Sequence, residues 1–168
     1  MKVPMSWLQA LVNLPDGTTT DDVVQALTNH TATVEKVEVV GGELTGPLVI
    51  GHILSSVPEP QKNGKIINWC RVDVGPRYNA EGHPNNVEEG IEGRGIVCGA
   101  PNAVEGAWVV VSLPGAVLPG GFAISARKTY GHMSDGMLCA SDELGIGVDH
   151  TGIITLPSSV EGHQLVPG

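Results

Sequence analysis

A chain of 168 residues can bury roughly 70% of the surface that its unfolded form exposes, so one ordinary domain with at most a small appendage is expected. Its formal net charge of −9 excludes a protein whose main task is gripping phosphate backbones, because that affinity comes from Lys and Arg displacing counterions; any nucleic-acid role has to be auxiliary. With 41% hydrophobic residues but one Phe, three Trp and two Tyr, the core must be built from Val, Ile, Leu and Ala, and 23 Gly and 12 Pro set between Val/Ile-rich runs mark short strands joined by tight turns.

In chain order, Ser6 with Gln9 three residues on offers a capping box, and Trp7, Leu11 and Leu14 recur at helical spacing, which predicts a short first helix. Pro15-Asp16-Gly17 breaks it. Thr18 or Thr19, with Asp21 or Asp22, then caps a second helix whose inward stripe is Val23, Val24 and Leu27. Val34, Val37 and Val39 begin extended structure. From Pro47 the pattern is β: runs at 48–54, 66–74, 95–98, 108–113 and 122–130, each closed by Gly or Pro turns. Five strands without a long helical stretch between them suit a small closed or partly closed barrel such as the OB fold, with a sandwich as the alternative. The fold class is therefore mainly β with short helices. Residues 78–93, with Glu81, Glu88, Glu89 and Glu92 among Asn and Gly, read as a solvated loop between the second and third strands. Ile153 to Pro157 is one more strand, and the end at Pro167-Gly168 reads as truncated.

The strand at 66–74 divides by period two. Ile66, Asn68, Cys70, Val72 and Val74 form the expected core face, and Ile67, Trp69, Arg71 and Asp73 the other. Trp69 beside Arg71 is the arrangement with which OB folds stack bases and meet phosphates; plain packing of Trp69 under a neighbouring loop is the alternative. Lys62 and Lys65, in the turn that leads into this strand, and Arg127, Lys128 and Tyr130 are two further spots that together outline one groove. Over residues 40–151, however, seven Lys and Arg stand against twelve Asp and Glu, so ordinary solvated charges are the competing reading.

Other chemistries are excluded more quickly. Cys70, Cys98 and Cys139 are odd in number and widely spaced, which indicates neither a disulfide framework nor a zinc knuckle and suits a reducing, cytoplasmic compartment. The six histidines show no metal-binding spacing and read as scattered surface or capping residues; no metal is expected. Glu88, Glu89 and Glu92 sit in so hydrophilic a loop that nothing would tune them for acid-base work. Gly145-Ile146-Gly147 lacks the third glycine of a dinucleotide site, and there is no nucleophile elbow or P-loop. The first thirty residues contain Asp16, Asp21 and Asp22 and no apolar run near eighteen residues, so neither a signal peptide nor a membrane span is expected.

Several motifs stand in a recognisable order: Lys2-Val3-Pro4-Met5-Ser6-Trp7-Leu8, Cys70-Arg71-Val72-Asp73-Val74-Gly75, Ile96-Val97-Cys98-Gly99-Ala100-Pro101-Asn102, the run from Leu113 to Phe122, Ser134-Asp135-Gly136-Met137-Leu138-Cys139, and Glu143-Leu144-Gly145 with Asp149-His150. In these the chain resembles, over nearly all its residues, the amino-terminal part of bacterial phenylalanyl-tRNA synthetase β subunits. The resemblance implies an OB-fold tRNA-binding module at 42–150, similar to those appended to methionyl- and tyrosyl-tRNA synthetases. That module would be inserted into a small α/β domain made of 1–41 and 151–168, the second part cut short. It further implies a fragment with no catalytic site and no cofactor of its own. The parent α2β2 enzyme would use ATP and Mg2+ at a site in its α subunit. Partners would be tRNA, the α subunit and the remaining β-subunit domains, with no membrane. In one place the chain departs from the module's pattern: where the family commonly has His-Pro-Asn-Ala-Asp-Lys-Leu before the second strand, this sequence has Glu59-Pro60-Gln61-Lys62-Asn63-Gly64-Lys65-Ile66. Two roles follow, a weak RNA-binding accessory supported by the basic spots and Trp69, or an architectural module that meets no RNA, supported by the acidic balance.

Overall fold

The computed structural model describes residues 2–39, 42–84, 92–160 and 163–168, and the chain falls into two compact units that divide between residues 39 and 40. The first holds helices α1 (Met5–Leu11) and α2 (Thr20–His30). The expected Ser6–Gln9 capping box is not what starts α1. Pro4 occupies the N-cap with extended ψ, and its carbonyl accepts the Trp7 N–H at 3.1 Å, so Ser6 already lies inside the first turn. Trp7 and Leu11 stay exposed. For α2 the reading holds: Asp22 N–H donates to Thr19 Oγ1 at 3.2 Å and Thr19 N–H to Asp22 Oδ2 at 2.9 Å, a complete capping box that satisfies two otherwise orphaned amides. Its Val23, Val24 and Leu27 are half-buried.

The second unit is built on β1 (Leu48–Pro60), β2 (Ile66–Asp73), helix α3 (Pro76–Ala80), β3 (Arg94–Cys98) and β4 (Trp108–Ser112). Short pairs follow: β5 (Val117–Leu118) with β6 (Phe122–Ala123), and β7 (Arg127–Thr129) with β8 (His132–Ser134). Then come β9 (Met137–Leu138), β10 (Thr155–Leu156), and the pair β11 (Ser159–Val160) with β12 (His163–Gln164). The main sheet is antiparallel, in the order β10-β4-β1-β2-β3 with β9 also on β4. Its curvature comes from β1, which pairs with β4 from Leu48 to His52 and with β2 from His52 to Pro60, and which carries a bulge between Ile53 and Ser55 that bends it from one partner to the other. Gly51 lies at that crossing. A Cβ there would sit 2.6 Å from Val111 Cγ2 and 2.8 Å from Val72 Cγ1, so only a residue without a side chain lets the strands approach. At the far edge, Asp135 N–H donates to Gly95 O at 2.9 Å and brings the chain after β8 against β3. The result is a nearly closed five-stranded antiparallel barrel, the OB fold. Its core is aliphatic as composition required: Ile53, Val72, Val74, Ile96, Val109 and Val111 are fully buried.

Three expectations change. The fifth barrel strand is not 122–130, which instead splits between the two small hairpins; β9 makes the closing pairs, Val111 with Leu138 and Ser112 with Met137. Phe122 and Ala123 face solvent while Leu138 and Cys139 are buried, so burial and not the β-propensity of the longer run selects the strand. The expected loop at 78–93 begins inside α3; Glu88 and Glu89 lie outside the described residues. Residues 151–168, grouped above with 1–41, lie in the barrel unit. Ile153 enters the core, β10 pairs Thr155 with Val109 and Leu156 with Trp108, and Gly168 N–H reaches Ile50 O at 3.0 Å. The open edge of β4 and an apolar side chain needing burial draw this stretch in. Among the described residues no helix is long and apolar enough to cross a membrane.

Candidate nucleic-acid interface

Ile67, Trp69 and Arg71 of β2 alternate with Cys70 and Val72, which enter the barrel core cluster. Trp69 sits mid-strand between Val57 of β1 and Val97 of β3, its register partners. The face is less open than alternation implies. Arg71 is 5% exposed and Ile67 3%, whereas Ile66, assigned by period two to the core, is 60% exposed because it lies at the end of the β1–β2 hairpin, where the chain turns. The Arg71 guanidinium stands 5.8 Å from the centroid of the Trp69 ring, so it packs beside the indole and is not displayed toward a phosphate.

The Trp69 ring itself carries a partner. The imidazole of His132, on β8, stacks on it with centroids 4.2 Å apart and planes 13° apart, and His132 Nε2 lies 3.0 Å from both carboxylate oxygens of Glu59. The β7–β8 hairpin that delivers His132 turns through Tyr130 and Gly131, both at positive φ (50° and 92°), the two-residue geometry that matches strand twist. Arg127 and Lys128 are exposed on this hairpin, and Tyr130 stands at its tip, 43% exposed. Lys62 and Lys65 are exposed on the β1–β2 turn, which is closed by Gln61 N–H to Lys65 O at 2.7 Å and shaped by Asn63 Oδ1 accepting from Lys65 N–H at 3.1 Å. The His132–Glu59 bond fastens the hairpin to β1 just before that turn. Of the residues singled out in the sequence, Lys62, Lys65, Trp69, Arg127, Lys128 and Tyr130 thus lie on the β2 face and on two loops joined beside it, the loops with which OB folds flank a ligand. Arg71 is set apart by burial.

Sequence reasoning missed His132 and Glu59, since nothing local marks a pair 73 residues apart. Nor are the histidines merely scattered: His52 also stacks, on Trp108, at 4.6 Å. A second missed feature is the buried ion pair of Arg94 and Asp135, 3.2 Å apart and 5% and 2% exposed. Asp135 Oδ2 also takes the His83 N–H at 2.7 Å, and Arg94 Nε donates to Tyr78 O at 2.8 Å, so the pair clamps the segment after α3 to the barrel. A cavity of about 60 Å³ between Val97, Ile124, Arg127, Ser134 and Met137 holds space for a water or two and not for a base. Burial pushes the Cys70 and Cys139 thiols up to about 11 and raises that of Cys98, the reverse of what a nucleophile needs. Among the described residues no group of His, Cys, Asp and Glu could hold a metal.

The family model described as "Putative tRNA binding domain" matches residues 83–164, from the approach to β3 through β12. A phenylalanine–tRNA ligase beta subunit from Cutibacterium acnes is 92% identical over 168 residues, covering all of this chain and 20% of that protein. The same subunit from Bifidobacterium longum is 45% identical over 170 residues, 99% of this chain and 19% of the relative. That from Thermobifida fusca is 50% identical over 157 residues, 94% and 18%. The chain spans about a fifth of the length of the curated relatives it matches.

Proposed function

Because the chain belongs, along its whole length, to the phenylalanine–tRNA ligase β-subunit family, we propose that it serves such an enzyme as a tRNA-binding accessory, a weak and sequence-nonspecific contact that adds local affinity to a larger assembly. The observation that carries this reading is the tRNA-binding match over 83–164, which takes in the hairpin of Arg127, Lys128 and Tyr130. In it, Lys62, Lys65, Arg127 and Lys128 meet phosphates, Trp69 and Tyr130 offer rings, and Arg71 supports the Trp69 indole. Catalysis lies elsewhere: the whole enzyme attaches phenylalanine to tRNA with ATP and Mg2+, as an α2β2 assembly in the cytoplasm, at a site in the α subunit.

The test is fluorescence anisotropy of labelled tRNA with the 168-residue chain at about 50 and 200 mM salt. Four phosphate contacts give a log–log salt slope of about −3, and each double charge reversal, Lys62→Glu/Lys65→Glu or Arg127→Glu/Lys128→Glu, lowers affinity and flattens that slope. No binding at either salt, or binding indifferent to both reversals, refutes the reading and leaves a module that only packs within the enzyme.

A further inference from the structure

The ring best placed to receive a base is already covered. Trp69 projects from the middle of β2 on the side of the sheet away from the core, and the heterocycle lying parallel on it at 4.2 Å is the protein's own His132. A flat, nitrogen-bearing ring stacked on an indole occupies the position a nucleobase would take on an aromatic platform. The element that supplies it is slight: β7 and β8 have three residues each, β8 is anchored to β3 at its end, where Ser134 Oγ accepts the Val97 N–H at 3.0 Å, and beyond that anchor His132 is held over Trp69 by the stack and by Glu59. The same hairpin carries the exposed Arg127 and Lys128.

We propose that Trp69 is a stacking site for one unpaired RNA base and that His132 closes it when RNA is absent. On binding, the hairpin lifts, the base takes the place of the imidazole, and Arg127 and Lys128 travel with the hairpin to the phosphates beside that base. Glu59 favours the closed state twice, by holding His132 Nε2 and by placing a negative charge where a phosphate would approach. A base inside a duplex has both faces covered by its stacked neighbours and cannot enter, so the site selects single-stranded segments. This inference rests on the RNA-binding reading above and adds to it the class of ligand and a gate.

Anisotropy with labelled oligouridine and with an RNA duplex of the same phosphate count, at one fixed salt, tests it on the full 168-residue chain. His132→Ala is expected to bind oligouridine about tenfold more tightly than the unmodified chain, the low end of one base stack. Duplex binding should stay unchanged, and the gain should disappear in Trp69→Ala/His132→Ala. His132→Gln, which keeps a hydrogen-bonding group for Glu59 but has no ring, should gain less. Oligouridine binding that is unchanged or weaker in both His132 variants, or a gain shared equally by the duplex, overturns the gate while the RNA-binding reading stands. Absence of RNA binding by the unmodified chain and both variants at any salt overturns the two together.

Discussion

Replacing Asp135 with Ala tests how the loop after α3 is held to the barrel. The carboxylate is 1% exposed as a residue and satisfies two donors, Arg94 Nη1 at 3.2 Å and the His83 N–H at 2.7 Å. Removing it leaves the guanidinium buried without a counter-charge, and breaking a buried pair from one side costs about 3–5 kcal/mol. The His83 amide loses its acceptor as well, a further cost of about 1 kcal/mol or more. Against a whole-domain stability of about 5–15 kcal/mol, a loss of about 4–6 kcal/mol lowers Tm by about 8–24 °C. Urea unfolding followed by circular dichroism measures it, and an unchanged m-value keeps the comparison valid. The double replacement Arg94→Met/Asp135→Leu removes both charges and should lose less than Asp135→Ala alone, because no charge is then left buried, even though the Tyr78 carbonyl loses the Arg94 Nε–H and the His83 N–H loses the carboxylate. A cost below about 1 kcal/mol for Asp135→Ala, or a double variant as unstable as the sum of the singles, would refute the assignment of this pair as a clamp.

Gly51→Ala should cost about 1–3 kcal/mol by forcing apart Val72 and Val111, with part recovered in Gly51→Ala/Val111→Ala; denaturant titration showing no loss would contradict the close approach. At pH 8 the three thiols should resist a disulfide reagent in the native chain and react after unfolding, since all three are buried. The Cys70 and Cys139 thiols titrate near 11 folded and near 9.0 unfolded, so the unfolded chain releases their protons first and stability falls as pH rises from about 9 toward 11. Cys70→Ala/Cys139→Ala should flatten that fall, and an unaltered slope would show that burial does not hold these protons.

Much of the architecture is legible locally. The Thr19–Asp22 box specifies where α2 begins, and runs of β-branched residues bounded by Gly and Pro mark β2 to β4 to within a residue of their observed limits and the start of β1, which continues past the expected 48–54 to Pro60. Composition alone required an aliphatic core, and motif order brought out the family resemblance. Of the interface, Lys62, Lys65, Arg127, Lys128 and Tyr130 were visible as basic or aromatic residues beside turns, where their exposure follows from the turn itself.

What the closed barrel decides is which neighbours those residues meet. Alternation along β2 puts Arg71 on the outward side, but only the folded barrel makes it a buried residue packed beside Trp69. The run 122–130 has strand propensity, yet β9 closes the barrel because Leu138 enters its core. Glu59 and His132, like Arg94 and Asp135, lie far apart in the chain and carry no mutual signal until pairing across the sheet sets their distance. Propensity, capping and turn chemistry act over a few residues and so can be read in order from the sequence. Burial and long-range ion pairing depend on the shape of the whole barrel, and that shape is what covers the Trp69 ring with His132.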